Sequence, residues 1–193
     1  IFILDLKSIF DATRFNKAPA VFDFEKFKWV NGMHIRKLDA SDILISLKEY
    51  LPKDSLLFSQ KTEWQEKYIN LYKNYVEFYK EIDKFLKNIF EDEIEESEEL
   101  LEMIKLESTK QVFEYIRDQI SQVNEQNLNE TDLNNFMNHL KKELKIKGKP
   151  LFMGTRVVLT GSAHGPDLKV LATLIPLDKI KSRLDKMNTK YFN

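Results

Sequence analysis

Gly148-Lys149-Pro150-Leu151-Phe152-Met153-Gly154-Thr155-Arg156-Val157-Val158-Leu159-Thr160-Gly161-Ser162-Ala163-His164-Gly165-Pro166-Asp167-Leu168 holds four of the five glycines of this chain and two of its five prolines. Glycine permits backbone geometries and close approaches closed to other residues. An arginine on a short apolar run, followed by a Gly/Ser/His/Gly/Pro loop, is a segment built to present a surface. Taken alone, Val157-Val158-Leu159 favours strand by propensity.

Outward from this stretch the chain reads as helix. Downstream, Leu168, Leu171 and Leu174 predict two short turns, and Pro176 separates them from a helix carrying Ile180 and Leu184. Upstream, Thr131 is expected to start a helix that points Leu133, Phe136, Met137, Leu140 and Leu144 inward and ends near Gly148. The polar stretch Asn124 to Glu130 is the linker before it. Ser108 with Gln111, ahead of Val112, Ile116 and Ile120, and Thr62 with Gln65 both match a capping box. Behind Thr62, Tyr68, Tyr72, Tyr75, Tyr79, Ile82, Leu86 and Ile89 recur at three and four, beside a second row of Trp64, Leu71, Phe78 and Phe85. The pattern predicts one helix of up to about seven turns. Its tyrosines could stack on bases, but a packing face is the stronger reading. Nearer the start, Ala40 to Tyr50 should be a helix ending before Pro52. Asp23 is expected to cap a helix with Phe24, Phe27 and Val30 inward, Trp29 as a core anchor and Asn31-Gly32 as its stop. Asp5 could cap a first short helix through Phe10 and Arg14, closed by Pro19.

Composition bounds the chemistry. The 193 residues are 42% hydrophobic and 32% charged, ordinary for a globular chain of one large or two small domains. The absence of cysteine excludes disulfides and thiolate sites, and the three histidines, His34, His139 and His164, form no His-x-x-x-His pair. No apolar run approaches a membrane span. The chain starts at Ile1 in an apolar segment, which reads as a piece of a longer protein. Net charge is −1, yet residues 139–193 carry twelve Lys and Arg against four Asp and Glu, while 91–107 hold nine acids and one lysine. Such polarity suggests a nucleic-acid-facing end and an acidic end facing away from it; clustering on solvated helix faces is the plain alternative.

Two blocks carry a family likeness. Residues 148–168 resemble the "GKPL…R-V-A-L-T-G…G-P-x-L" signature of bacterial-type glutamyl-tRNA synthetases, found in their helical anticodon-binding domain. Pro19-Ala20-Val21-Phe22-Asp23-Phe24-Glu25-Lys26-Phe27-Lys28-Trp29-Val30-Asn31-Gly32-Met33-His34-Ile35-Arg36 is similar to "apavFDxxKLxWxNgxYi", which in those enzymes follows the catalytic domain. The resemblance implies an all-α fold: a linking subdomain over 1–50 and an anticodon-binding domain over 51–193, with 131–193 its most carboxyl-terminal part. It also makes Val157-Val158-Leu159 helical.

The same likeness implies RNA recognition. Arg156 matches the arginine that contacts the anticodon loop, and Gly165, Pro166 and Leu168 match the loop that packs on the bases. A guanidinium offers a planar fork of donors to base edges and phosphates, and splayed single-stranded bases expose the edges that can be read. Lys145, Lys147 and Lys149, with Lys141 and Lys142, would attract phosphates without reading sequence; a solvated face suits them equally. The implied partner is glutamate tRNA, bound by a cytoplasmic monomer that binds neither DNA nor membrane. No counterpart is assigned for the family's basic residue near Tyr75, which leaves glutamine tRNA open as a second partner. ATP and magnesium belong to the intact ligase, and this piece is expected to need no cofactor or metal and to catalyse nothing alone.

Other motifs are decoys. His34-Ile35-Arg36-Lys37 starts like the His-Ile-Gly-His motif of class I synthetases, but Arg36 stands where a nucleotide base needs glycine. Lys186-Met187-Asn188-Thr189-Lys190 echoes Lys-Met-Ser-Lys-Ser without a nucleotide fold around it. Gly161 to Gly165 lacks the lysine and Ser/Thr of a phosphate loop, and Ser162 with His164 lacks a nucleophile elbow. Two competing functions remain: a helical protein-interaction adaptor that uses the acidic 91–107 segment, and a stand-alone RNA-binding regulator.

Overall fold

A computed structural model describes residues 21–123 and 125–192, together with 8, 10, 11 and 13. The helix expected from Asp5 to Arg14 falls largely outside the described residues. Those residues form ten α-helices and contain no strand. In chain order these are α1 (Phe24–Lys37), α2 (Ala40–Tyr50), α3 (Thr62–Tyr72), α4 (Lys87–Phe90), α5 (Glu98–Ile104), α6 (Glu107–Gln122), α7 (Glu130–Lys142), α8 (Gly148–Thr160), α9 (Leu168–Leu174) and α10 (Leu177–Met187).

Asp23 caps α1 as expected, its carboxylate accepting the Lys26 N–H at 3.0 Å. Asn31-Gly32 does not stop that helix. Gly32 is buried within it, against the Arg36 guanidinium and the Val76 carbonyl, and the Asn31 amide donates to the Glu77 carbonyl. A tertiary contact outweighs the local turn preference here. Trp29 is no core anchor either: it is 55% exposed, and Phe24 and Phe27 also face outward. The second helix matches its expected limits and buries Ile43, Leu44 and Leu47.

The long aromatic helix is broken. α3 ends at Tyr72, a 3₁₀ turn follows to Tyr75, Val76 to Phe78 are non-helical, and a second 3₁₀ segment spans Tyr79–Phe85 before α4. Side chains make the break. The Glu81 carboxylate accepts the Glu77 and Phe78 N–H groups, at 2.8 and 3.2 Å, and the Tyr68 hydroxyl donates to the Ile82 carbonyl. Folding back brings rings from either side of the break together: Tyr72 stacks on Phe85 with ring centroids 4.5 Å apart, and Trp64 meets Phe90 of α4. Burial of these rings stabilises the fold more than the few helical bonds given up. The tyrosines at 68 and 72 are thus packing residues. Thr62 and Ser108 cap nothing; they lie inside their helices, and Gln65 instead bonds the Leu57 and Gln60 carbonyls.

In the last third α6 and α8 pack side by side, and α10 lies across both. α7 begins one residue earlier than expected, with Asn129 and Asp132 forming the capping box, and ends at Lys142, so Leu144 lies beyond it, exposed. Val157, Val158 and Leu159 sit fully buried in α8, where packing overrides their strand propensity. Gly161 ends α8 in the left-handed conformation at φ 68, its N–H donating to the Val157 carbonyl. The linker is tied down by the Asn127 amide, which donates to the Ile175 carbonyl at 2.9 Å. Among the described residues no helix is long and apolar enough to cross a membrane.

Candidate nucleic-acid interface

Arg156 and the Gly165-Pro166 turn form one unit. From the middle of α8, the Arg156 Nη2 donates to the Pro166 carbonyl at 2.7 Å, while its buried Nη1 has no acceptor from the protein. Burial lowers the Arg156 pKa, and Asp167, Tyr75 and Tyr72 oppose that shift. Gly165 has φ 147, and a Cβ there would stand 3.0 Å from the same Nη1. Only glycine gives both the backbone angle and the space. Asp167 then caps α9, accepting the Val170 N–H at 3.1 Å, and so sets Leu168 at the start of that helix.

Two depressions flank this unit. One, of about 300 Å³, is lined by Arg156 and Leu168 with Phe152, Met153, Asp167 and Lys169. Phe152 is 57% exposed, and neither composition nor motif had marked it. Its position four residues before Arg156 was the available signal, because side chains at that spacing share a helix face. The other depression, of about 510 Å³, places Tyr75, Lys67, Asn70 and Asn74 beside Pro166 and Asp167. An arginine fork, a proline, a leucine and two exposed aromatic rings therefore surround one short loop.

The three lysines are exposed, but they do not join that cluster. Lys145 adopts a left-handed conformation at φ 56 and Lys147 precedes α8, with buried Ile146 anchoring the backbone between them. Lys149 lies in the first turn of α8, two turns before Arg156 and on the same face. None of the three lines either depression. Their place is at the amino-terminal end of the helix that carries Arg156.

The acidic segment does not face away from the basic end; it lies on it. Residues 91–97, which we term the strap, are non-helical and cross the end of α8 to reach α10. Asp92 accepts from Lys186 at 2.7 Å and from Ser182, and Glu96 pairs with Lys190. These bonds hold the Asp92 carboxyl well below the usual carboxylate range. Beneath the strap, Arg183 is 1% exposed and donates to the Leu159 and Glu91 carbonyls, each at 2.6 Å. Burial takes its pKa down to about 10, so it stays charged at neutral pH. The strap also meets the loop: the Glu95 N–H donates to the Gly161 carbonyl at 2.8 Å, the Ser162 hydroxyl to the Glu95 carboxylate at 2.6 Å, and His164 lies 2.7 Å from Glu99 at the start of α5. Ser162 and His164 are thereby structural partners of carboxylates. Lys186 and Lys190, the ends of the second decoy, are ion-pair partners. Among the described residues no group of three or more histidines and carboxylates is placed to hold a metal.

Residues 42–188 match the anticodon binding domain family, and the chain belongs to that family. Within it, the chain is homologous to glutamate–tRNA ligases: it is 32% identical to that of Bacillus licheniformis over 180 residues and 31% identical to that of Mesoplasma florum over 185. The alignments cover 91% and 95% of this chain but 37% and 38% of those proteins, so it spans little more than a third of their length. The solved structure of a glutamate tRNA ligase from Elizabethkingia meningosepticum, in complex with its amino acid, has the same fold, with a TM-score of 0.75 over 94% of this chain at 24% identity.

Proposed function

We propose that this chain is the anticodon-reading part of a glutamate–tRNA ligase and binds the anticodon loop of glutamate tRNA, with glutamine tRNA as a second candidate. One observation carries the reading: the half-buried Arg156 fork, with one donor holding Pro166 and one unpartnered, beside the exposed ring of Phe152. A buried donor without an acceptor costs about 1–3 kcal/mol; Nη1 is enclosed beneath Gly165 in the free protein, so a base edge or phosphate would reach it as that turn shifts on binding. Gly165, Pro166 and Leu168 offer a close backbone and an apolar platform to the bases. Lys145, Lys147 and Lys149 would guide phosphates toward them. In this reading residues 1–50 link the anticodon-binding part, 51–193, to the rest of a cytoplasmic, monomeric enzyme.

Among the described residues nothing fits the ATP and magnesium that the intact ligase would use. The described part of the chain has no strand to carry a nucleotide loop, and its carboxylates do not gather into a metal site. Alone, the chain is therefore expected to show no glutamate-dependent exchange of pyrophosphate into ATP.

The test is Arg156→Ala, assayed on an anticodon stem-loop of matching sequence and on one with a scrambled loop. Loss of a base contact of this kind costs about 1–3 kcal/mol, roughly 5- to 150-fold in affinity. The loss should be larger on the matched loop, because phosphate contacts survive on both. Equal losses would reduce Arg156 to a phosphate contact, and no RNA binding by the parent protein would overturn the proposal in favour of an adaptor.

A further inference from the structure

We infer that the acidic strap positions the RNA-reading loop, acting through Glu95, and closes one flank of that loop to RNA, so that the strand approaches from the Phe152 side. The inference rests on the RNA reading just proposed. It starts from how the strap is held. Its seven residues, 91–97, include one apolar side chain, Ile94, which is only partly buried. Hydrophobic burial therefore contributes little to its placement, and directional polar bonds set it instead.

Two of those bonds end on the loop itself. Glu95 takes the Gly161 carbonyl through its backbone N–H and the Ser162 hydroxyl through its carboxylate. Glu99 adds the His164 ring. Ser162 also receives the His164 N–H at 3.2 Å, so the turn leading to Gly165 is fixed from its outer side. From the opposite side Arg156 holds Pro166. The loop is thus clamped between a carboxylate and a guanidinium: the guanidinium bears on Pro166 itself, and the carboxylate on the turn that leads to it.

The two flanks differ in charge. On the strap side a cavity of about 310 Å³ brings Glu91, Glu93 and Glu95 close to Ser162, His164 and Pro166. On the other side stand Phe152, Leu168 and Lys169. A phosphate backbone is repelled by carboxylates and drawn to lysine, and unstacked bases settle on aromatic rings. Three carboxylates outweigh Lys87 and the buried, carbonyl-bound Arg183 on the strap flank, while the other flank sets Arg156 and Lys169 against Asp167, so charge and stacking together favour the Phe152 flank.

Glu95→Ala and Glu95→Gln separate the bond from the charge, with affinities measured on matched and scrambled stem-loops. Alanine removes the acceptor for Ser162, and glutamine keeps an acceptor while removing the charge. Glu95→Ala is expected to lose roughly three- to tenfold on the matched loop, the scale of one hydrogen bond, and to bind the scrambled loop at least as well as the parent does. Glu95→Gln is expected to restore the matched affinity. Ser162→Ala should reproduce the alanine result from the loop side. An unchanged matched affinity in Glu95→Ala, equal losses on both loops, or no restoration by glutamine would overturn the inference. A parent protein without any preference for the matched loop would overturn the RNA reading itself, which is a distinguishable result.

Discussion

The guanidinium of Arg183 donates to the main-chain carbonyl of Glu91, 92 residues earlier in the chain, at 2.6 Å. Its other terminal nitrogen holds the carbonyl of Leu159, in the last turn of α8. One buried side chain therefore ties the strap to the helix that carries Arg156. Lysine cannot reproduce this fork. Arg183→Lys should lower stability by about 2–4 kcal/mol, given that hydrogen bonds from a charged donor contribute about 1.5–3 each, with urea unfolding as the measurement. An effect below about 1 kcal/mol would mean the strap is held without it.

Gly161 tests the same junction from the backbone. A Cβ there would come within 2.7 Å of the Glu93 carbonyl, on a residue with φ 68. Gly148 has φ 60 and nothing within 4 Å of the same position, which makes it the control. Both alanine variants carry the left-handed penalty of about 1–2 kcal/mol, and only Gly161→Ala should exceed it. Equal losses in thermal or urea unfolding would show that the strap yields freely.

Acid should weaken the strap's attachment. The Asp92 carboxyl is held below its ordinary value by Lys186 and Ser182, so its stabilising effect is present above about pH 4, the unfolded value, and is lost as pH falls through the lower folded one. The stability gap between the parent and Asp92→Asn should therefore shrink as pH falls below about 4. A gap that stays constant down to pH 2 would place the Asp92 contribution outside its charge.

Phe152→Ala separates stacking from sequence reading. Base–aromatic stacking is worth about 1–3 kcal/mol per base and tolerates any sequence. Affinity should fall on matched and scrambled loops alike, unlike the selective loss expected for Arg156→Ala. Because the ring is 57% exposed, the melting temperature should hardly move.

Replacing Lys145 and Lys147 with glutamine should flatten the dependence of log affinity on log salt. Each lost phosphate contact on single-stranded RNA removes about 0.7 from the slope. An unchanged slope would place the phosphate-contacting surface away from the α7–α8 connection.

Local signals in the sequence located most helices where local chemistry decides them. Pro52 and Pro176 bounded α2 and α10, and Asp23 capped α1. What escaped were features made by distant partners. Asn31-Gly32 reads as a stop because nothing nearby reveals that Glu77 and Val76 will pack there. The aromatic rows read as one helix because periodicity cannot see that Glu81 caps a break and lets the rows fold together. Arg183 is one cation among many in a basic tail until its burial is known. The candidate site was legible as far as the glycine and arginine pattern went, with Phe152 marked only by its spacing from Arg156; the strap was not, since long-range pairing leaves no local mark.

The strap's bonds to Ser162, Lys186 and Lys190 join residues 67, 94 and 94 positions apart in the chain. Contacts across such separations require large loops to close before they return any energy, so they belong to the late steps of folding. The helices are held largely by nearer neighbours and can form first. The reading loop then acquires its shape only when both halves of the chain have met. If the loop reads RNA as proposed, a molecule whose carboxyl-terminal helix has come loose would keep most of its helical signal while already blind to the anticodon, which would make recognition a more sensitive report of native order than circular dichroism.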